Sequence, residues 1–234
     1  MEKYGIIGAM ESEVKELCDE LANKEIVEFA GLNFFTGFLK GKDVVIVKSG
    51  ICKVNAALCA QALILKFGVT KVINTGIAGA FAKGLCVFDF VVSTAAVYHD
   101  FDTTAFGYKM GQVPGMPQVF TADEKLADSA VAAFGKTEFA KQHKVIKGVV
   151  ASGDQFISDS MAKKTIQANF EPACVEMEGC AIAHACYLNK VPFVIVRCMS
   201  DMADESVEQT YSFNEDICAN ACACLVKQII EIDA

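Results

Sequence analysis

The stretch Val191-Pro192-Phe193-Val194-Ile195-Val196-Arg197-Cys198-Met199-Ser200-Asp201 decides how the rest of the chain is read. Four β-forming residues follow a proline without polar alternation. That pattern predicts a strand covered on both faces, as in a parallel sheet. The strand runs into Arg197, with Asp201 four residues on. Ligands of open α/β sheets sit beyond the carboxyl ends of the strands, so both groups are expected at the mouth of a site. Lys and Arg together number 21, and Arg197 is the only arginine. Two readings stand for it: a strand-end ion pair with Asp201, or a site needing a rigid planar donor that lysine cannot imitate.

Upstream, Tyr4-Gly5-Ile6-Ile7 reads as a first strand broken at Gly8. A helix follows with Val14, Leu17, Cys18 and Leu21 on one face, and with Glu11 and Glu13 in its first turn. Acidic residues there are ordinary partners of the helix dipole. Glu13 also falls just past a strand and a glycine turn, at the carboxyl edge of the sheet. Phe34–Leu39 and Val44–Val47 form an antiparallel pair around Gly41-Lys42. A helix after Ser49-Gly50 carries Val54, Ala57, Leu58, Gln61 and Leu65 at helical spacing. Lys71–Asn74 is a strand leading into the small-residue loop Thr75-Gly76-Ile77-Ala78-Gly79-Ala80, which lets backbone approach a ligand. The loop lacks the spacing of a dinucleotide fingerprint, and no Walker motif occurs.

Phe90–Val97 is the next strand, and residues 103–118 form a long irregular excursion of the kind found at functional sites or interfaces. The helix Leu126–Phe134, the strand Val145–Ala151, the loop carrying Phe156 and Ile157, and the helix Met161–Phe170 follow. Cys174–Glu178 reads as a strand, Gly179–Leu188 as a helix, and Phe213–Ile232 as the last helix. The alternation defines an α/β class with a central, mixed, largely parallel sheet, expected as one domain over residues 1–234.

A hydrophobic fraction of 53% fits an extensive core, and no run approaches the ~18 apolar residues of a membrane span. No secretory leader is evident at the N-terminus. The net charge of −8 argues against a nucleic-acid partner. The 11 cysteines lie mostly in apolar segments, without Cys-x-x-Cys, and the three histidines are scattered. They read as buried thiols of a reducing cytoplasm, with no metal site.

Strand ends therefore carry Glu13, Glu176 or Glu178, Arg197 and Asp201. Glu176 and Glu178 share one side if both stay extended, with Glu176 expected as an internal partner. Together with Met177, Phe156, Ile157 and Phe213 they suit a small, uncharged, partly aromatic ligand bearing hydroxyls.

The segments Gly5–Glu13, Ser49–Ala57, Asn74–Gly79, Tyr98-His99-Asp100, Ala105–Tyr108, Ser152–Ile157, Val175–Glu178 and Arg197–Asp201 resemble the 5′-methylthioadenosine/S-adenosylhomocysteine nucleosidases, in order and without large gaps. The resemblance implies a three-layer αβα fold, a homodimer, and cleavage of the N-glycosidic bond of adenine 5′-thionucleosides without metal or cofactor. It makes Asp201 the acid that protonates adenine N7, Glu13 the base that activates water, and Arg197 a group positioning that water. Glu178 with Met177 would hold the ribose hydroxyls, beside Ile77, Ala78, Gly79 and Ser200. Phe156, Ile157 and Phe213 would hold the base. Tyr108 and Pro114 would reach the partner subunit's pocket near the 5′ substituent. The chain departs from the family at Ile77 and Ala80, where serine and glycine are usual.

Two further readings compete. A phosphorylase of the same fold would need arginine forks or a glycine nest for phosphate, and only one arginine exists. A nucleoside-binding protein without catalysis would have no need of Glu13, Glu178, Arg197 and Asp201 together.

Overall fold

The computed structural model describes residues 2–204 and 207–233, the side chains of residues 207–213 excepted. Its elements are β1 (Lys3–Gly8), α1 (Glu11–Asp19), β2 (Ala22–Phe29), β3 (Leu32–Leu39), β4 (Lys42–Lys48), α2 (Lys53–Phe67), β5 (Lys71–Ala80) and β6 (Phe90–Tyr98). Then come β7 (Phe120–Thr121), α3 (Glu124–Phe134), β8 (Val145–Ser152), α4 (Ser160–Phe170), β9 (Cys174–Glu176), α5 (Gly179–Asn189), β10 (Phe193–Asp201) and α6 (Val207–Ile232).

The strands form one mixed sheet in the order β10-β6-β8-β9-β5-β1-β4-β3-β2, with β7 beside β6. β10 also pairs in parallel with β5, from Phe193 opposite Val72 to Asp201 opposite Gly79. Strands β5, β9, β8, β6 and β10 therefore close on themselves, and β1, β4, β3 and β2 extend as an open arm. Helices α2 and α5 cover one face, burying Ala56, Cys59, Ala60 and Leu63 with Cys180, Ile182 and Cys186. Helices α1, α3 and α6 cover the other, with Val14, Leu17, Leu126, Leu225, Val226, Ile229 and Ile230. Each such aliphatic side chain taken out of water contributes about 1.5–3 kcal/mol. The result is a three-layer αβα sandwich.

Several sequence expectations change. Residues 75–80 are not a loop: β5 continues through them because β10 pairs along its whole length. Glycine there marks a close approach rather than a turn. Gly76 has φ +155°, and a Cβ on it would overlap Arg197 Nη1 and Glu13 Oε1. Arg197 likewise lies inside β10, paired with Gly76 on one side and Val91 on the other, not at a strand end. β9 stops at Glu176, and Glu178 is the N-cap of α5. The two carboxylates thus do not share a side through strand alternation. β2 was not legible: seven of its eight residues are exposed, so no buried face patterns the edge strand. In α2 the helix is as expected but its inward face is not, since Val54, Leu58 and Leu65 are 68%, 65% and 71% exposed. α6 starts at Val207, ahead of the expected Phe213.

Candidate active site

Glu13 occupies the third position of α1 and reaches back over the helix start. Its Oε2 accepts the N–H groups of Ala9 (2.6 Å) and Met10 (3.0 Å), and its Oε1 accepts that of Ile77 on β5 (3.1 Å). The residue therefore does cap the helix, as an acidic first turn suggests. It does so while almost fully buried and at the edge of a cavity. Burial pushes its carboxyl above the usual range, against the pull of Arg197 and of the three amides.

Asp201 ends β10, where the register with β5 shifts between Met199 and Asp201. Its Oδ2 accepts Ser200 Oγ–H at 2.8 Å and its Oδ1 the N–H of Ala203 at 2.7 Å. Burial raises this carboxyl as well, with those two bonds opposing.

Beneath the cavity, Arg197 is 1% exposed and does not line it. Its Nη2 bonds Asn74 Oδ1 (2.6 Å) and pairs with Glu176 Oε2, and lies 3.8 Å from Glu178 Oε2. The strand-end pair with Asp201 is therefore replaced by a pair with Glu176. Glu176 also accepts Ser152 Oγ–H and the N–H groups of Glu178 (3.0 Å) and Gly179 (2.7 Å), so its partners are internal. Those two amides turn the chain at the end of β9 and bring Glu178 to the cavity wall. Glu178 Oε1 accepts the N–H of Cys52 at 3.0 Å. Burial, then the neighbouring Glu176 charge, push its carboxyl up to about 8. The Arg197 charge 3.8 Å away opposes this, followed by the bond from Cys52 N–H.

The cavity measures about 550 Å³ with its open mouth included. It brings together Glu13, Ile77, Ala78, Gly79, Phe156, Ile157, Met177, Glu178, Ser200 and Asp201 from the sequence reading. Phe156 is 53% exposed at the rim, and Ile157 is buried. Ala9, Met10, Ile51, Gln155, Val175 and Glu176 line it too and were not singled out as wall residues. Gln155 and Glu176 adjoin residues that were, and all six fall within the segments that carry the family resemblance, which is the signal for them in the sequence. Arg197 is off the cavity, and the exposed Tyr108 and Pro114 do not border it in this chain. The Phe213 side chain lies outside the described residues. None of the described lining residues is Lys or Arg. Among the described residues no cluster of His, Cys, Asp and Glu could hold a metal ion.

A mixed sheet with acids gathered over β5 and β10 defines a class, and a family model described as the phosphorylase superfamily matches residues 3–231. The chain belongs to that superfamily. A 5′-methylthioadenosine/S-adenosylhomocysteine nucleosidase from an Exiguobacterium strain is 48% identical over 214 residues, 91% of this chain and 90% of that protein. The crystal structure of such a nucleosidase from Colwellia psychrerythraea, in complex with adenine, has a TM-score of 0.94 and 41% identity, covering 99% of this chain and 96% of that one. A futalosine hydrolase mutant of Helicobacter pylori has a TM-score of 0.93 and 30% identity, covering 99% of each chain. Within the superfamily, the chain belongs to the family of the 5′-methylthioadenosine/S-adenosylhomocysteine nucleosidases.

Proposed function

We propose that this chain is an N-glycosyl hydrolase of adenine 5′-thionucleosides, 5′-methylthioadenosine and S-adenosylhomocysteine, and also of 5′-deoxyadenosine. The observation that carries this reading is that Glu13 and Asp201, far apart in sequence, border one cavity and are both raised by burial. A carboxyl raised toward neutrality serves either as acid or as base. Asp201 donates its proton to adenine N7, so that the base leaves as a neutral molecule. The C1′–N9 bond breaks with its electron pair going to adenine, and C1′ acquires oxocarbenium character. Glu13 takes a proton from water on the opposite face, and the water oxygen bonds to C1′. Solvent then returns both acids to their starting states. Glu178 accepts the ribose hydroxyls, while Phe156, Ile157 and Met177 enclose the base and sugar. Phe213 is assigned to the base pocket by the resemblance alone. Arg197, held off the cavity, acts through Glu13 and Glu176.

The absence of Lys and Arg from the described lining favours water over phosphate as acceptor, because phosphate is gripped by cationic forks. A second copy would cover the outward apolar side chains of α2 and α5, Val54, Leu58 and Leu188. Tyr108 and Pro114 would then approach the 5′ end of the neighbouring site. The single domain spans residues 1–234, and 11 unpaired cysteines suit a cytoplasmic setting. The likeness to a futalosine hydrolase carries a second reading, in which the preferred nucleoside is aminodeoxyfutalosine.

The test is adenine release from the four nucleosides in phosphate-free buffer. Asp201→Asn is expected to lower kcat by about 10²–10⁴ at unchanged thermal stability. Glu13→Gln is expected to lose as much, but with Tm reduced, because its new amide group opposes backbone N–H donors. Turnover at the wild-type rate in either variant removes the role given to that residue. A strict phosphate requirement overturns hydrolysis, and turnover of aminodeoxyfutalosine alone selects the second reading.

A further inference from the structure

The segment bearing Phe156 and Ile157 has no regular structure of its own, yet it forms one wall of the cavity. What holds it lies just upstream, outside the cavity. Lys53, the first residue of α2, donates its backbone N–H to Asp154 Oδ1 at 2.8 Å. Its Nζ bonds both carboxylate oxygens of Asp100, at 2.7 and 2.6 Å, and lies 3.4 Å from Asp154 Oδ2. Asp100 Oδ2 in turn accepts the N–H of Asp154 at 2.8 Å. One ammonium group therefore ties together the start of α2, the chain after β6 and the chain after β8. Two backbone bonds complete the grip: Ser152 O accepts from His99 N–H at 2.9 Å, and Glu176 O accepts from Gly153 N–H at 3.2 Å. Gly153 is pressed against the His99 ring so closely that a Cβ would overlap it. Next door, Cys52, at φ +84°, points its N–H at Glu178 Oε1.

We propose that Lys53 is a positioning residue for base binding: through Asp100 and Asp154 it sets the wall at Phe156 and Ile157, without touching the ligand. The proposal rests on the adenine-nucleoside reading above. Lys53 is absent from the cavity lining, so its influence must pass through the segment it anchors. The Asp100 contact is well sheltered, with 22% and 12% of the two side chains exposed. Partly buried charge-assisted bonds outweigh surface ion pairs. The turn at Cys52 is held separately by its bond to Glu178, so loss of the ammonium leaves the ribose contact in place.

The experiment compares wild type, Lys53→Met, Lys53→Arg and Asp100→Asn with 5′-methylthioadenosine as substrate and adenine as competitive product. In Lys53→Met, KM and the adenine inhibition constant are expected to rise together by on the order of tenfold. Its kcat is expected to stay within about threefold, since the acids at positions 13 and 201 are untouched. Lys53→Arg is expected to recover most of the loss, and adding Asp100→Asn to Lys53→Met is expected to add little, because both break the same contact. Wild-type KM and adenine inhibition in Lys53→Met overturn the proposal, as does a loss confined to kcat. Should Lys53→Met not fold, the same constants read in Asp100→Asn decide, with wild-type values again overturning it. A wild-type protein that releases no adenine would instead refute the underlying reading.

Discussion

Replacing Arg197 with methionine removes the only guanidinium and leaves Glu13, Glu176 and Glu178 buried around an apolar side chain. Breaking a buried pair by deleting one partner costs about 3–5 kcal/mol, against a total stability typically of about 5–15 kcal/mol. For a chain of this length each kcal/mol moves Tm by roughly 2–4 °C, so Arg197→Met is expected to melt about 6–20 °C below wild type near neutral pH. The loss has a sign in pH. A buried carboxyl whose folded pKa lies above its unfolded one loses stability as pH rises between the two values. For Glu178 that window runs from 4.5 to about 8, and without Arg197 it extends upward. The deficit of the variant should therefore be larger at alkaline pH than at about pH 5.5. Adding Glu176→Gln, which neutralises the stranded partner, should restore part of the loss. Thermal unfolding followed by circular dichroism at both pH values reads all of this. A Tm within about 2 °C of wild type, or a deficit independent of pH, would refute the view that Arg197 serves as the buried counter-ion of these acids.

Gly76→Ala places a methyl group against Arg197 Nη1 and Glu13 Oε1. It is expected to cost about 1–3 kcal/mol and to lower kcat more than it raises KM, as read by urea unfolding and steady-state kinetics. Unchanged stability would mean the strand has room there. Leu58→Glu, with Val54→Glu, puts charge on the outward face of α2; for the homodimer proposed above, sedimentation should show wild type as a dimer and the double variant as a monomer at micromolar concentration. A dimer that persists in the double variant would place the subunit contact elsewhere.

Much of the architecture was legible because buried strands announce themselves. Phe193–Val196 is an apolar run after a proline, and Lys71–Asn74 carries the β-branched pair Val72-Ile73; both are strands. Their lengths were not legible. Small residues at 75–80 look like a loop, and only pairing with β10 and the side chains crowding Gly76 show that they are extended. Arg197 was misplaced for the same reason, since a charge normally ends a buried strand unless carboxylates elsewhere in the chain meet it. Periodicity found α2 but not its inward side, because small residues, Ala56, Cys59 and Ala60, face the core while larger ones face out. The gathering of Glu13 and Asp201 at one cavity followed from strand ends alone. The lattice of Lys53, Asp100 and Asp154 did not, because it joins turns far apart in sequence.

The closed circuit of β5, β9, β8, β6 and β10 has a mechanical consequence. Each member has a neighbour on both edges, so none can slide without tearing amide ladders on either side. The parts of the cavity wall that lie outside this circuit, Ala9 and Met10, Ile51, residues 155–157 and Met177, belong to connectors that carry no such double constraint. Asp201 sits at the end of one stiff stave of the circuit, and Glu13, on α1, is fastened to another by the N–H of Ile77.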